Sequence, residues 1–276
     1  MRTFEGKVAV VTGGASGIGR GIALELARRG AGVTIADINT TRLDTTVAEL
    51  RDLGADAIGI RCDVTSDDEV DHLRDEAIEQ FGHVDVLCNN AGVAVLGPPE
   101  RVAIADWEWI LQVNVLGLVR GVRSFVPAML GRGSGHVVNT ASVAGIWAYT
   151  WDAAPYITSK FAAYGFSEAL ARTLRPQGID VTVLCPGLVA TNLAETARQS
   201  GVPNDRAGEW SYFPPEMQEA VDTEFVGALV ADAIESKTFA VFTHAQDAER
   251  FRSWRLDIEA SLTAAIDRSP PPPSFG

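Results

Sequence analysis

The chain has 276 residues, with 23 Lys and Arg against 36 Asp and Glu, a formal net charge of −13, and 46% hydrophobic residues. This is an ordinary globular balance, and the acidic surplus argues against a nucleic-acid partner, whose phosphates need clustered cations. No run of about 18 apolar residues is free of charge, so no membrane span is expected, and the opening MRTFEGKVAVVTGG lacks a signal-peptide layout.

Lys7–Thr12 is a short β-branched run that ends in glycines and predicts a first strand. Gly19–Arg29 then has helical spacing. Gly32–Ala36 predicts a second strand that ends at Asp37, and Thr41–Leu53 a helix. Ala57–Cys62 predicts a strand ending at Asp63. Asp67–Phe81 predicts a helix, with Ser66 as N-cap and Glu69 three residues on, a capping-box pattern. Val84–Cys88 runs as a strand into Asn89. Ala103–Leu130 is a long, mostly apolar helix. His136–Thr140 predicts a strand ending at Ala141-Ser142, and Pro155–Leu174 another apolar helix. Ile179–Leu184 and Phe239–Phe242 are the last strands, and Asp247–Ile266 the last helix. Near-continuous Val/Ile/Leu strands alternating with helices predict right-handed βαβ units, and so an α/β fold with a doubly wound parallel sheet.

No internal repeat or linker divides the chain. One catalytic domain is expected over residues 1–245. Within it, a flap-like substrate excursion is expected at about 192–220, where prolines mix with Trp210, Tyr212 and Phe213. Residues 246–276 are expected to add a C-terminal helix and a Pro-rich tail. Cys62, Cys88 and Cys185 form no CxxC pair, which suits a reducing cytoplasm, the expected location. His72, His83, His136 and His244 have no ligand spacing, so no metal is expected.

The first strand ends in Thr12-Gly13-Gly14-Ala15-Ser16-Gly17-Ile18-Gly19. Glycines between a strand and a helix let backbone approach a pyrophosphate, while the helix N-terminus offers free N–H groups to the anion. Gly13, Ser16, Gly17, Ile18 and Gly19 are therefore cofactor candidates. Asp37 follows eighteen residues after Gly19, where a carboxylate accepts ribose hydroxyls and repels a 2′-phosphate. With Ser16 in place of a basic residue, this favours NAD over NADP. Asp63 and Val64 fit the adenine, and Asn90, Ala91 and Gly92 form a turn that serves both structure and cofactor.

Tyr156 and Lys160 lie four apart and share a helix face. An ammonium near a phenol stabilises phenolate, so Tyr156 would exchange a proton with an alcohol or carbonyl oxygen while hydride moves at carbon. Ser142 would hold the substrate oxygen. Asn114, inside an apolar helix, needs partners for its amide, and a water linking it to Lys160 would supply one. Trp147, Tyr149, Tyr212 and Phe213 are candidate walls for a bulky apolar or aromatic substrate, with subunit packing as the competing role.

Together TGGASGIG, Asp37, Asp63-Val64, NNAG, Asn114, Ser142, YITSK and PGLVAT resemble the short-chain dehydrogenase/reductase family, in its compact single-domain branch. The resemblance implies a Rossmann-type, seven-stranded parallel sheet with helices on both faces. It also implies a proton relay through Asn114, Ser142, Tyr156 and Lys160, and nicotinamide contacts from Pro186, Gly187, Val189 and Thr191. The expected activity is an NAD-dependent secondary-alcohol dehydrogenase or ketone reductase. A catalytically silent dinucleotide-binding scaffold and an NAD-retaining epimerase or dehydratase are the alternatives. The apolar helices at 103–130 and 155–174 suggest a homo-oligomer, dimer or tetramer. The expected partner is a small alcohol or ketone, with neither nucleic acid nor membrane.

Overall fold

The computed structural model describes residues 3–201, 219–257 and 264. Its strands are β1 (Val8–Thr12), β2 (Gly32–Asp37), β3 (Ala57–Arg61), β4 (Val86–Asn89), β5 (Val95–Leu96), β6 (Gly135–Thr140), β7 (Ile179–Cys185), β8 (Arg198–Gln199) and β9 (Ala240–Phe242). Its helices are α1 (Gly17–Arg28), α2 (Thr40–Asp52), α3 (Asp67–Phe81), α4 (Ile104–Leu111), α5 (Gly117–Arg132), α6 (Ala154–Leu174), α7 (Leu193–Thr196), α8 (Thr223–Ser236) and α9 (Ala245–Leu256).

Seven strands form one parallel sheet in the order β3-β2-β1-β4-β6-β7-β9. Alternation along β1 shows why both faces are apolar. Ala9 and Val11 face α1, α2 and α8, through Ile22, Leu26, Leu50 and Val230. Val8 and Val10 face α3, α5 and α6, through Leu73, Phe125, Met129 and Leu174. Strand order reverses direction between β1 and β4. In such sheets the ligand crevice opens there, beyond the carboxyl ends of the strands.

α8 crosses α1 at backbone contact. A Cβ on Gly21 would lie 2.1 Å from the Thr223 carbonyl oxygen, and one on Gly227 would lie 2.3 Å from that of Gly21. This crossing pins the chain where it returns from the excursion.

Several elements differ from expectation. The long apolar helix is continuous from Ile104 to Arg132 but contains a π-helical turn at Gln112–Leu116, centred on Asn114. Length and composition alone would let this helix cross a bilayer. Here it packs on the sheet through Phe125 and Met129, and Arg120 and Arg123 pair with Asp67 of α3. The start of the excursion folds back, with β8 pairing parallel to β5 through Val95–Arg198 and Leu96–Gln199. The last helix begins at Ala245, two residues earlier than expected, and is described as far as Leu256. It covers Trp147 and Tyr164 with Phe251 and Trp254. The Pro-rich tail and most of the excursion, with Tyr212 and Phe213, lie outside the described residues.

Candidate active site

Gly13 and Gly17 have φ of 62° and 51°, the left-handed region that glycine enters at least cost. Gly19 is required for a different reason. A Cβ there would lie 2.1 Å from the Gly13 carbonyl oxygen and 2.5 Å from Asn90 Nδ2. Ser16 stands at the N-cap of α1 in extended conformation, and its side chain does not cap the helix. The first N–H groups of α1 are therefore left to a ligand or solvent. Across from them, a Cβ on Gly17 would lie 3.3 Å from Thr191, which comes from the loop after β7. Between the two walls lies a cleft of about 620 Å³, lined by Ala15, Ser16, Gly17, Arg42, Thr191 and Glu195 among others. A glycine turn, an uncapped helix start and this cleft fit the diphosphate of a dinucleotide.

Asp37 stands at the end of β2. Its carboxylate accepts from the Ala15 N–H at 3.2 Å and the Asn39 N–H at 3.0 Å. It therefore anchors the glycine loop, and its remaining lone pairs stay available to hydroxyls. Arg42 lines the same cleft, paired with Glu195 at 2.6 Å. Asp63 Oδ1 accepts from the N–H and hydroxyl of Thr65, closing a local turn. Val64 is buried and packs on Gly117 at the start of α5. Ile18 is partly buried against the apolar cluster beneath α1.

Asn90 joins three strand ends. Its amide donates to the Thr12 and Gly13 carbonyls at 3.2 and 3.3 Å, and its oxygen accepts from the Thr140 hydroxyl at 3.2 Å. Thr12, unmarked by the sequence reading, accepts the N–H groups of Asn90 and Ala91 on its own hydroxyl. A threonine closing a strand carries no distinguishing pattern.

On the other side of the crevice, Ser142 begins a short 3₁₀ turn, Val143–Gly145. Its Oγ accepts from the Ala144 N–H at 3.1 Å and donates to the Pro186 carbonyl at 3.4 Å. Tyr156 and Lys160 lie one turn apart on α6, with Pro155 in its first turn. The buried Lys160 ammonium donates to the Thr140 carbonyl at 3.0 Å, and Nζ lies 5.7 Å from the centre of the Tyr156 ring. Burial brings Lys160 down to about 8. Burial pushes the Tyr156 phenol up, and the nearby Ser142 hydroxyl offsets part of that. The expected lowering by Lys160 has no direct ammonium–phenol hydrogen bond behind it here, since the ammonium donates to Thr140 and stands over the ring.

Asn114 is fully buried, and its amide has all the partners it needs within the protein. Oδ1 accepts from the Val93 N–H at 2.8 Å, and Nδ2 donates to the Val93 carbonyl and to Ser159 Oγ at 2.9 and 3.0 Å. No water is required to satisfy the side chain, a correction to the expected link. A Cβ on Gly92 would lie 3.4 Å from Asn114 Oδ1 and 3.5 Å from Lys160 Nζ, so Gly92 separates the two residues with the smallest possible group. The π turn around Asn114 is of a kind often found at functional sites.

The aromatic residues divide. Tyr149 is half-buried near Tyr156, and burial, then Tyr156 and Asp152, push its phenol up. Trp147 is only 3% exposed. Tyr149 and Trp254 cover it, with ring centres at 5.9 and 6.4 Å, and Arg250 lies 5.3 Å from its ring. It is therefore part of the core under α9, and almost none of its surface is open to a substrate. The apolar group that does adjoin Tyr156 is Val93, Val95, Ile110 and Trp109. Sequence reasoning missed it because those residues read as strand and helix interior. Arg198 stacks on Trp109 at 3.5 Å and pairs with Asp106.

After β7, the Gly187 N–H donates to Thr243 Oγ1, and Val189 bridges to Val221. Pro186, Gly187, Val189 and Thr191 thus line one loop running from Ser142 to the glycine turn. Among the described residues, no group of three His, Cys, Asp or Glu side chains is placed to hold a metal.

A Rossmann-type sheet with a glycine turn at its switch point and Ser, Tyr and Lys beside it defines a nucleotide-dependent oxidoreductase architecture. The family model for short chain dehydrogenases matches residues 7–201, and the chain belongs to that family. It is 35% identical to 1-deoxy-11-beta-hydroxypentalenate dehydrogenase of Streptomyces exfoliatus, over 97% of this chain and 92% of that one. It is 33% identical to a CLA biosynthesis dehydrogenase/reductase of Lactiplantibacillus plantarum, over 88% and 90%. A short-chain dehydrogenase/reductase from Burkholderia phymatum, solved in complex with NAD, superposes with a TM-score of 0.82 at 34% identity, covering all of both chains. The family uses NAD(P) cofactors and acts on small molecules.

Proposed function

We propose that the protein is an NAD-dependent dehydrogenase of a secondary alcohol, or reductase of its ketone, with a bulky apolar or aromatic substrate. The observation that carries this reading is the convergence of Ser142, Tyr156 and Lys160 at the crevice facing the glycine turn. Asp37 supports NAD over NADP, since its carboxylate stands where a 2′-phosphate would be repelled. Arg42, the nearby guanidinium, already faces Glu195. The apolar group of Val93, Val95 and Trp109 beside Tyr156 supports an apolar substrate. So does the relative named for a hydroxypentalenate.

Gly13, Gly17, the start of α1 and Thr191 would hold the diphosphate, and Pro186 to Thr191 would border the nicotinamide. Bound there, the cofactor supplies or accepts the hydride. The protein handles the proton. Tyr156 holds it at the phenol oxygen and transfers it to or from the substrate oxygen, while the Ser142 hydroxyl aligns with both. Buried Lys160, brought down to about 8, is ready to restore the proton. A silent scaffold would not need these three side chains brought together.

Exposed Leu116, Leu130 and Phe161 on the long helices support a homo-oligomer, which light scattering would test. Three buried, separate thiols suit a cytoplasmic enzyme.

The test is NADH formation across a graded panel of secondary alcohols, with NAD and NADP compared. Tyr156→Phe should lower kcat by roughly 10²–10⁴-fold and leave NADH affinity intact. Unchanged turnover in that variant would overturn the mechanism, and turnover with NADP alone would overturn the cofactor assignment.

A further inference from the structure

Two guanidiniums line the cleft beside the glycine turn. Arg20 of α1 is held at 2.7 Å by Glu49 of the neighbouring α2. Arg42 is held at 2.6 Å by Glu195, which comes from α7 on the other wall, 153 residues along the chain. The side chains of this second pair are 41% and 58% exposed. Ion pairs that exposed add little to stability, so this one acts mainly on what enters the cleft. Arg42 stands on the ribose side. It lies in the first turn of α2, where its N–H donates to Asn39 Oδ1 at 3.0 Å, and the Asn39 N–H donates in turn to Asp37. Asp37 also holds the Ala15 N–H, and Ala15, Ser16, Thr41 and Arg42 all line the cleft. The Asp37 charge reaches Arg42.

A guanidinium, the Ser16 and Thr41 hydroxyls and the positive end of α2 are the parts of an anion site. The anion that belongs beside a ribose held at Asp37 is a phosphate on its 2′-oxygen. In this chain the guanidinium already holds an anion, the Glu195 carboxylate. Its delivery is built into the loop after β7. Thr191 Oγ1 accepts from the Leu193 N–H at 3.4 Å, and the Glu195 N–H donates to the Asn192 carbonyl at 2.9 Å. Thr191 and Asn192 sit against the glycine turn, where a Cβ on Gly17 would lie 3.3 and 3.4 Å from them. With Asp37 and Glu195 both present, two negative charges face the one on Arg42, and a dianionic phosphate meets net repulsion. Without Glu195, Asp37 and Arg42 balance.

We propose that Glu195 is a specificity-determining residue. Reaching across the cleft, its carboxylate takes the place of a 2′-phosphate on Arg42 and so selects NAD against NADP, in addition to the repulsion from Asp37. This rests on the reading of the cleft as a dinucleotide site. A ribose without the phosphate makes no use of the Arg42 guanidinium, so NAD is bound whether or not the ion pair is intact.

The test uses the full chain and reads binding rather than turnover. Fluorescence titration gives Kd for NADH and NADPH in the native protein, Glu195→Gln, Glu195→Ala, Arg42→Gln and the Arg42→Gln/Glu195→Gln pair. Glu195→Gln should tighten NADPH by roughly three- to tenfold and change NADH by less than about twofold. Glu195→Ala, which leaves Arg42 no side-chain acceptor at that position, should gain at least as much. The gain should shrink at roughly molar salt, where exposed charges are screened. It should vanish in the double variant, since losing the carboxylate frees nothing when the guanidinium is gone. A gain absent from both Glu195 variants, a gain equal for NADH and NADPH, or a gain that survives without Arg42 would overturn the proposal. If the native protein binds neither nucleotide, the dinucleotide reading falls and takes the proposal with it. If it binds NADH and neither Glu195 variant tightens NADPH, the proposal alone falls.

Discussion

The two halves of the crevice are held by different means. On the nucleotide side, backbone shape dominates. Gly13 and Gly17 take left-handed angles, and Gly19 allows contact with Gly13 and Asn90. On the chemical side, long-range side-chain hydrogen bonds dominate. Asn114 grips Val93, Lys160 reaches Thr140, Ser142 meets Pro186 and Thr243 holds Gly187. A glycine requirement is local and tolerates the loss of a single side-chain contact. A buried polar group is not tolerant in this way, since removing one partner leaves the other without water or protein.

Substitutions on the chemical side should therefore do more damage. Lys160→Met should cut kcat by at least about a hundredfold. The same change should stabilise the fold by about 1–3 kcal/mol at neutral pH, because it removes a buried ammonium. The sign follows from the folded value, lowered from 10.5 to about 8. Below about pH 8 the cost of burying the charge is present in full. Between roughly pH 8 and 10.5 the unfolded chain holds more protons, so stability rises with pH. Thermal melts across that window should show the rise in the native protein and a flatter trend in the methionine variant.

Asn114→Ala leaves the Val93 N–H and carbonyl without partners and should cost roughly 2–4 kcal/mol, read by urea unfolding. On the nucleotide side, Asp37→Asn removes a charge but keeps an acceptor for the loop. It should shift the ratio of NADPH to NADH affinity by roughly tenfold, measured by fluorescence titration. The smallest effect is expected for Gly17→Ala, about 1–2 kcal/mol for a side chain at positive φ, with the Thr191 contact giving slightly. If Gly17→Ala proved more damaging than Asn114→Ala, the contrast between the halves would fail.

This contrast also explains what the sequence made legible. The seven sheet strands could be placed within a residue or two, because short apolar runs rich in β-branched residues, set between helical patterns, have few other readings. The glycine turn and Tyr156–Lys160 were visible as local patterns. The π turn was not, since Gln112-Val113-Asn114-Val115 continues an apolar helical pattern and the extra residue leaves no compositional trace. β5 and β8 are two residues each, too short for any period. Trp147 was misplaced because an aromatic residue between Ser142 and Tyr156 suits a pocket wall and a core equally. Only α9, a hundred residues later, decides between them. Thr243 was unmarked for the same reason: its partner, Gly187, lies 56 residues away.

The corner at Thr243 also bears on the order in which the site is completed as the chain is synthesised. Domains begin to fold from the N-terminus during synthesis, at about 5–20 residues per second. The glycine-turn wall of the nucleotide half is built by residues that emerge early, since β1 needs only β2 and β4 as neighbours, and its second wall follows with Thr191. The peptide beside Ser142 gains its second anchor only with Thr243, 56 residues after Gly187. A nascent chain is thus expected to gain a dinucleotide cradle before a competent proton relay, and arrest of translation ahead of Thr243 would separate the two.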